Sequence, residues 1–269
     1  MGMFLANYHT HTKRCGHASG LDEEYVLEAL GHGYKYLGFS DHAMLPNFSE
    51  PFKRGDYSLF KDYCDSINNL KEKYKGQIEI YLGFEAESFP CYYSFYKELL
   101  DNKVLDYMIL GNHCAMDDNH NIYTKFSNIT NPADLYLYKD LAIKAISSGM
   151  FQIFVHPDYF MMGIENFDND CKKVSKAIIE CCIAHDVPLE VNLAGIRNGL
   201  MQIGKKKRYC YPTDDFFDLV SKYKAKCVFG SDAHAPSQIM NEYANYEAVE
   251  FAKRHNLVII DKLDKIKSN

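Results

Sequence analysis

The chain has 269 residues, 47% of them hydrophobic, and a formal charge of −6 at pH 7. That balance suits one large α/β domain or two small ones and argues against a protein that coats nucleic acid. No apolar run approaches the roughly 20 residues that cross a bilayer, and no basic-then-apolar leader opens the chain, so the expectation is a cytoplasmic protein without a membrane partner. The nine cysteines are odd in number and scattered, with no Cys-x-x-Cys. They read as reduced thiols, not as a disulfide frame or a zinc knuckle.

In chain order, short β-type runs alternate with longer amphipathic stretches. Strands are expected over 4–11, 36–41, 78–85, 107–111, 152–156, 189–193 and 226–231, and helices over 22–32, 56–74, 92–102, 132–147, 170–185, 213–223 and 236–255. Asn131-Pro132 and Pro212-Thr213 are typical first-turn residues. Seven βα units in a row imply parallel strands covered by helices, as an open doubly wound sheet or a closed barrel. No Gly-x-Gly-x-x-Gly or Gly-Lys-Ser/Thr sequence follows the first strand, so the nucleotide-binding open sheet loses its main support. No linker or repeat divides the chain, and residues 1–269 read as one domain.

The strand ends carry the chemistry. The first ends in His9-Thr10-His11, where a period of two puts both imidazoles on one face, about 6–7 Å apart along the strand. The next end in Ser40-Asp41-His42, Gly83-Phe84-Glu85-Ala86-Glu87, Gly111-Asn112-His113, Val155-His156-Pro157-Asp158, Glu190-Val191-Asn192 and Ser231-Asp232-Ala233-His234. In a parallel βα architecture these ends share one edge, so the polar residues converge. Seven of eleven histidines, His9, His11, His17, His42, His113, His156 and His234, lie at or just beyond strand ends. With Glu85 and Asp232 they make nine imidazole and carboxylate candidates, a set suited to Zn²⁺, Mn²⁺ or Fe²⁺ and too large for one catalytic ion. Two or three ions are implied. Closely spaced ions hold a hydroxide at neutral pH and neutralise a phosphoryl group, so hydrolysis of a phosphate ester follows.

The motifs His-Thr-His, a further His six residues on, Ser-Asp-His, Gly-Phe-Glu-Ala-Glu, Gly-Asn-His, Val-His-Pro-Asp and Gly-Ser-Asp-Ala-His, in this order from Asn7 to His234, resemble the polymerase and histidinol phosphatase (PHP) family. The opening His-Thr-His-Thr-x-x-Cys-Gly-His-Ala most resembles its histidinol-phosphatase branch. The resemblance implies a distorted (β/α)7 barrel with its active site at the C-terminal strand ends and three divalent metal ions. One ion would be held by His9, His11, Glu85 and Asp232, a second by Glu85 as bridge with His113 and His156, and a third by His17, His42 and His234, with a bridging hydroxide attacking phosphorus. Two departures stand out. Asn7 occupies a position where similar sequences often show Asp, which alters a charge behind the ligands but no ligand, and Gly111-Asn112-His113 replaces Gly-Ser-x-His.

Arg197, just after the sixth strand, is the best-placed cation for gripping phosphate and a candidate catalytic residue, since its fork matches two phosphate oxygens and similar phosphatases use an arginine in this region. Arg14 and Lys13 are candidates of the same kind. Lys205-Lys206-Lys207-Arg208 is either a solvated loop or a lure for anions. Asp41 serves as proton donor to the leaving group or as the orienter of a ligand, and Glu87 has the same two readings. Asp158, with Tyr159 and Phe160, forms a substrate-reading pocket wall or a capped aromatic loop. The reading is a metal-dependent phosphomonoesterase for L-histidinol phosphate in histidine biosynthesis, its partner a small phosphate ester and not a nucleic acid. Alternatives are a PHP enzyme for another small phosphate ester or nucleotide, and a PHP module that processes or binds nucleic acid. No sequence feature specifies an oligomeric state.

Overall fold

The computed structural model describes residues 4–264 and 266. In chain order it contains β1 (Ala6–Asn7), α1 (Asp22–Gly31), β2 (Tyr36–His42), α2 (Phe60–Lys73), β3 (Glu79–Ala86), α3 (Tyr93–Asp101), β4 (Tyr107–Leu110), a hairpin of β5 (Cys114–Met116) and β6 (Ile122–Lys125), α4 (Pro132–Ser147), β7 (Ile153–Phe154) and α5 (Asn169–Ala184). There follow β8 (Leu189–Asn192), α6 (Leu193–Arg197), a second hairpin of β9 (Met201–Ile203) and β10 (Lys206–Arg208), α7 (Asp214–Tyr223), β11 (Lys226–Gly230), α8 (Glu242–Arg254) and β12 (Val258–Ile259).

The main sheet has the order β1-β2-β3-β4-β7-β8-β11-β12, and its pairings are parallel. It is a distorted (β/α) barrel. The distortion has a local cause at the seam. Beyond the C-terminal end of β11, Thr10 bridges Ala233, with His11 N–H donating to Ala233 O at 2.9 Å. Asn7 Oδ1 accepts the Ser231 N–H at 2.9 Å, so a neutral amide ties β1 to the exit of β11. Lower down, β12 pairs with β11 through Lys226–Val258 and Cys227–Ile259, and Phe4 stacks on Phe229 with ring centroids 4.4 Å apart. The expected first strand over 4–11 is cut to Ala6–Asn7 because the chain leaves regular pairing to make this bridge.

The expected helices appear within a few residues, and their sequences explain them. Asn131 accepts the Asp134 N–H at 2.9 Å, with Pro132 in the first turn of α4. In α5, Cys171, Val174, Ser175, Ile178, Ile179 and Cys182 are buried, the spacing of one helical face turned to the sheet. Pro212-Thr213 opens α7 as expected, with the Thr213 hydroxyl and N–H both donating to Asp158. All nine cysteines are free thiols. The hairpins and the eighth strand, β12, were not anticipated: each strand has two to four residues, too few for a hydrophobic period to register.

Strand alternation divides the interior. Ile80, Leu82 and Phe84 of β3 face the helices, whereas Tyr81, Tyr107, Ile109, Ile153, Val155 and Val228 fill the barrel with Tyr8, Leu263 and Ile266. Tyr107 crosses this interior to donate to Tyr8 O at 2.7 Å. Gly83 makes room for it, because a Cβ there would overlap the Tyr107 ring. This packed layer is the floor under Glu85, two residues farther along β3. Gly83→Ala should lower stability by about 1–3 kcal/mol through overpacking. The check is the urea midpoint, and an unchanged midpoint would show that Tyr107 moves aside freely.

Candidate metal centre

At the C-terminal strand ends, the nine residues expected as ligands come together. Glu85, 2% exposed at the end of β3, lies at their centre. Its Oε1 is 2.9 Å from His156 Nε2 and 3.3 Å from His113 Nε2. Its Oε2 is 3.0 Å from His42 Nδ1, 3.5 Å from His11 Nε2 and 3.7 Å from His9 Nε2. Asp232 Oδ1 is 3.2 Å from His11 Nε2, 3.4 Å from His234 Nδ1 and 3.6 Å from His9 Nε2. Beyond this group, His17 Nε2 meets His234 Nε2 at 2.9 Å. His42 stands apart from that pair's contact, its Nδ1 turned to Glu85.

The backbone turns sharply to aim these side chains. Asn112, His156 and Asp232 have φ of 51°, 33° and 46°, a left-handed conformation uncommon outside glycine and characteristic of strained functional sites. Each follows a barrel strand within two residues. The two predicted motif residues among them, His156 and Asp232, would point elsewhere if their strands continued straight.

Hydrogen bonds fix the imidazole tautomers. His9 Nδ1 donates to Glu190 Oε1 at 2.8 Å, and His113 Nδ1 donates to Glu87 Oε1 at 2.8 Å. His17 Nδ1 donates to Cys15 O at 3.3 Å, and His234 Nδ1 donates to Asp232 O at 3.1 Å. All four Nε2 atoms are left as acceptors. The Nε2 atoms of His9 and His11 lie 3.2 Å apart, and those of His17 and His234 lie 2.9 Å apart. The Nε2 lone pairs of His17 and His234 face each other and repel unless a cation lies between them, so this donor set fits divalent metal ions. Ligand atoms of His9, His11 and Glu85, of His9, His156 and Asp232, and of His11, His42 and His234 form groups within 4.8 Å.

The electrostatics agree. Burial opposes the charge on Glu85 and Asp232, yet the surrounding imidazoles hold both carboxyls well below the usual range. Burial likewise opposes protonation of His9 and His11. Glu190, Asp232 and Glu85 nonetheless raise His9 well above its ordinary value, and Asp232, Asp41 and Glu85 raise His11 to about 9. Burial and the neighbouring imidazoles push His42 down to about 4 and His234 to about 3. Charged Glu85 and Asp232 thus lie between His9 and His11, whose protonated forms are favoured, and His42 and His234, whose neutral forms are favoured.

The structure gives several of the expected residues other partners. Arg197 donates to Ser231 O and Asp232 O at 3.0 Å each and to Gln238 at 3.3 Å, bracing the turn that carries Asp232. Arg14 is largely buried and pairs with Asp22 and Asp62 at 2.8 Å, tying α1 to α2. Asp158 is fully buried, accepts both Thr213 donors and is pushed up to about 6 by burial. It supports the loop from behind. Asp41 is also enclosed, accepts the Thr12 hydroxyl and the His42 N–H, and lies 3.6 Å from His11 Nδ1. Burial opposes its charge, but His11 and Thr12 hold it below its ordinary range, and its place behind His11 suits the orienting reading. Arg208 turns inward onto Met161 O and Ile164 O at 2.7 Å, leaving Lys205, Lys206 and Lys207 exposed on the hairpin.

Other residues escaped the sequence reading. Glu190 locks His9 and also accepts the His156 N–H at 3.0 Å. Its Glu-x-Asn spacing at a strand end was the available signal. Arg54, almost fully buried, lies 3.5 Å from Glu87 and 3.2 Å from Glu50. A cavity of about 390 Å³ opens onto the centre, lined also by Phe52, Lys53, Tyr159 and Tyr211. Tyr159 is among the residues expected in a pocket wall or a capped loop, whereas nothing in the local sequence spacing marks Phe52, Lys53 or Tyr211.

Residues 7–194 match the PHP domain. The chain belongs to the PHP family. The matched stretch holds the PHP ligand candidates from His9 to His156, while Asp232 and His234 lie beyond it. This PHP chain is 27% identical over 248 residues to a probable histidinol-phosphatase of Deinococcus radiodurans, covering 90% of each chain. It is 24% identical to a histidinol-phosphatase of Bacillus subtilis, covering 87% of this chain and 95% of that one. Its fold is similar to that of histidinol phosphate phosphatase from Lactococcus lactis, solved with zinc, L-histidinol and phosphate, with a TM-score of 0.72 over 100% of both chains at 17% identity.

Glu190→Gln should weaken metal affinity about 10- to 100-fold, because an amide no longer fixes His9 as firmly. Competition against a chelator measures this, and wild-type affinity in the variant would remove Glu190 from the account.

Proposed function

We propose that the chain is a metal-dependent phosphomonoesterase that hydrolyses L-histidinol phosphate to L-histidinol and phosphate in histidine biosynthesis, acting as a single cytoplasmic domain over 1–269. The observation that carries this reading is the division of Glu85, with Oε1 towards His113 and His156 and Oε2 towards His9, His11 and His42. One carboxylate shared in this way suits a bridge between ions. Three divalent ions, zinc, manganese or iron, are the proposed complement, with His17 and His234 supplying the outermost site. Bound there, they would supply Lewis acidity, which brings a bridging water towards hydroxide at neutral pH and offsets phosphoryl charge.

The chain's own residues do the positioning. Glu190, Glu87 and the carbonyls of Cys15 and Asp232 keep Nδ1 protonated on four histidines, so that Nε2 faces inward. Asp41 and Thr12 hold His11 from behind, and Arg54 balances the charge of Glu87. The ester would lie in the cavity between Tyr159 and Tyr211 on one side and the Phe52–Arg54 loop on the other.

One observation favours a second reading, a different small phosphate ester. The cavity-lining carboxylates Glu85, Glu87 and Asp232 are all engaged by imidazoles, Arg54 or Asn192, so they leave no free acid for the amino group of L-histidinol. Phosphate release from L-histidinol phosphate, aryl phosphates and nucleotides, with metal counted on the same sample, separates the two. L-histidinol phosphate should exceed the others in kcat/KM by orders of magnitude, with activity lost on chelation and restored by metal. Equal turnover of all esters would leave the phosphatase chemistry and remove the histidine pathway. His17→Ala should lower metal content by about one ion per chain; unchanged stoichiometry would exclude His17 as a ligand.

A further inference from the structure

A phosphate ester brings negative charge and a body of definite shape into the cavity, and the chain must meet both. The arginines near the site are committed elsewhere: Arg197 to backbone carbonyls, Arg14 to Asp22 and Asp62, and Arg54 to Glu50, Glu87 and Ala43 O. Lys53 differs. Its side chain is half exposed, lines the cavity, and has a single loose ion pair, to Glu50 at 3.7 Å.

The preceding residue is unusual in a second way. Phe52 is 79% exposed on the lip of the cavity and holds φ at 64°, a conformation that bulky side chains rarely adopt. An exposed aromatic alone means little. Here its main chain is seated closely against Gly16, in the loop that carries His17. Opposite, Tyr159 and Tyr211 form an aromatic wall with ring centroids 5.8 Å apart, running from His113 and His156. A strained backbone that displays a bare ring opposite two tyrosines, beside a lysine with donors to offer, suits a ligand with a ring at one end and an anion at the other.

We propose that the loop between β2 and α2 is the substrate clamp: Lys53 meets the phosphoryl group, and Phe52 covers an aromatic or heteroaromatic ring joined to it, against Tyr159 and Tyr211. This rests on the phosphatase reading and names the substrate class of that site.

The test is calorimetric titration of metal-loaded protein with phenylphosphonate and methylphosphonate, whose P–C bonds are not hydrolysed, with metal content measured in every variant. Wild type should bind the phenyl compound about three- to tenfold more tightly. Phe52→Ala should abolish that preference and keep the methylphosphonate affinity. Lys53→Met should weaken both ligands about tenfold, and Lys53→Arg should restore most of the loss. Metal content should not change. A preference that survives Phe52→Ala, or affinities that survive Lys53→Met, would overturn the clamp while wild-type binding and ester hydrolysis keep the phosphatase reading intact. Metal-loaded wild type that binds neither phosphonate and hydrolyses no ester would overturn both.

Discussion

A carboxylate buried inside a protein is costly unless cations or donors surround it. Glu85 has five imidazoles around its two oxygens and 2% exposure to water. The remainder of the site is built to make that arrangement tolerable. Parallel strands bring His9, His11, His42, His113 and His156 to one edge, and the left-handed turns at His156 and Asp232 point their side chains inward. Nε2 lone pairs that face each other across about hydrogen-bond distance are incompatible with neutral imidazoles alone. Divalent ions resolve the carboxylate's charge and the lone-pair repulsion together, which is why the same residues read as ligands and as a fold constraint.

Around the cluster stands a ring of groups that hold the imidazoles from behind, of which Glu87 and Arg54 also line the cavity. Glu190 holds His9, Asp41 faces His11, and Glu87 holds His113 and is balanced by Arg54. Arg197 and Asn7 work on the backbone instead, bracing Ser231 and Asp232 at the barrel seam. The seam is therefore as much a part of the site as the ligands are, since Asp232 and His234 are delivered by the strand that closes onto β1. The proposed substrate contacts lie farther out, on loops, where side chains change without disturbing the proposed metal centre.

The clustering of the candidate ligands was legible in the sequence because strand ends are short, local patterns: a run such as Ile80 to Phe84 followed by Glu85 declares both the strand and its exit. The failures have a common cause. Arg197 and Arg14 looked free because nothing in a sequence shows that the carbonyls of Ser231 and Asp232, or the carboxylates of Asp22 and Asp62, are within reach. Glu190 sat in plain view at a strand end but could be assigned only once His9, far away in the chain, was beside it. Lys53 and Phe52 lie in an irregular loop with no period to read, and β12 is too short to show one. Period and spacing report which face a residue takes, not which distant partner waits there.

The most direct test of the central claim is anomalous X-ray scattering from crystals of the metal-loaded protein, recorded on both sides of the absorption edges of zinc, manganese and iron. The account predicts three peaks at the C-terminal strand ends, two of them sharing Glu85 and one beside His17 and His234. An absence of peaks among these residues, with metal bound elsewhere or not at all, would contradict it.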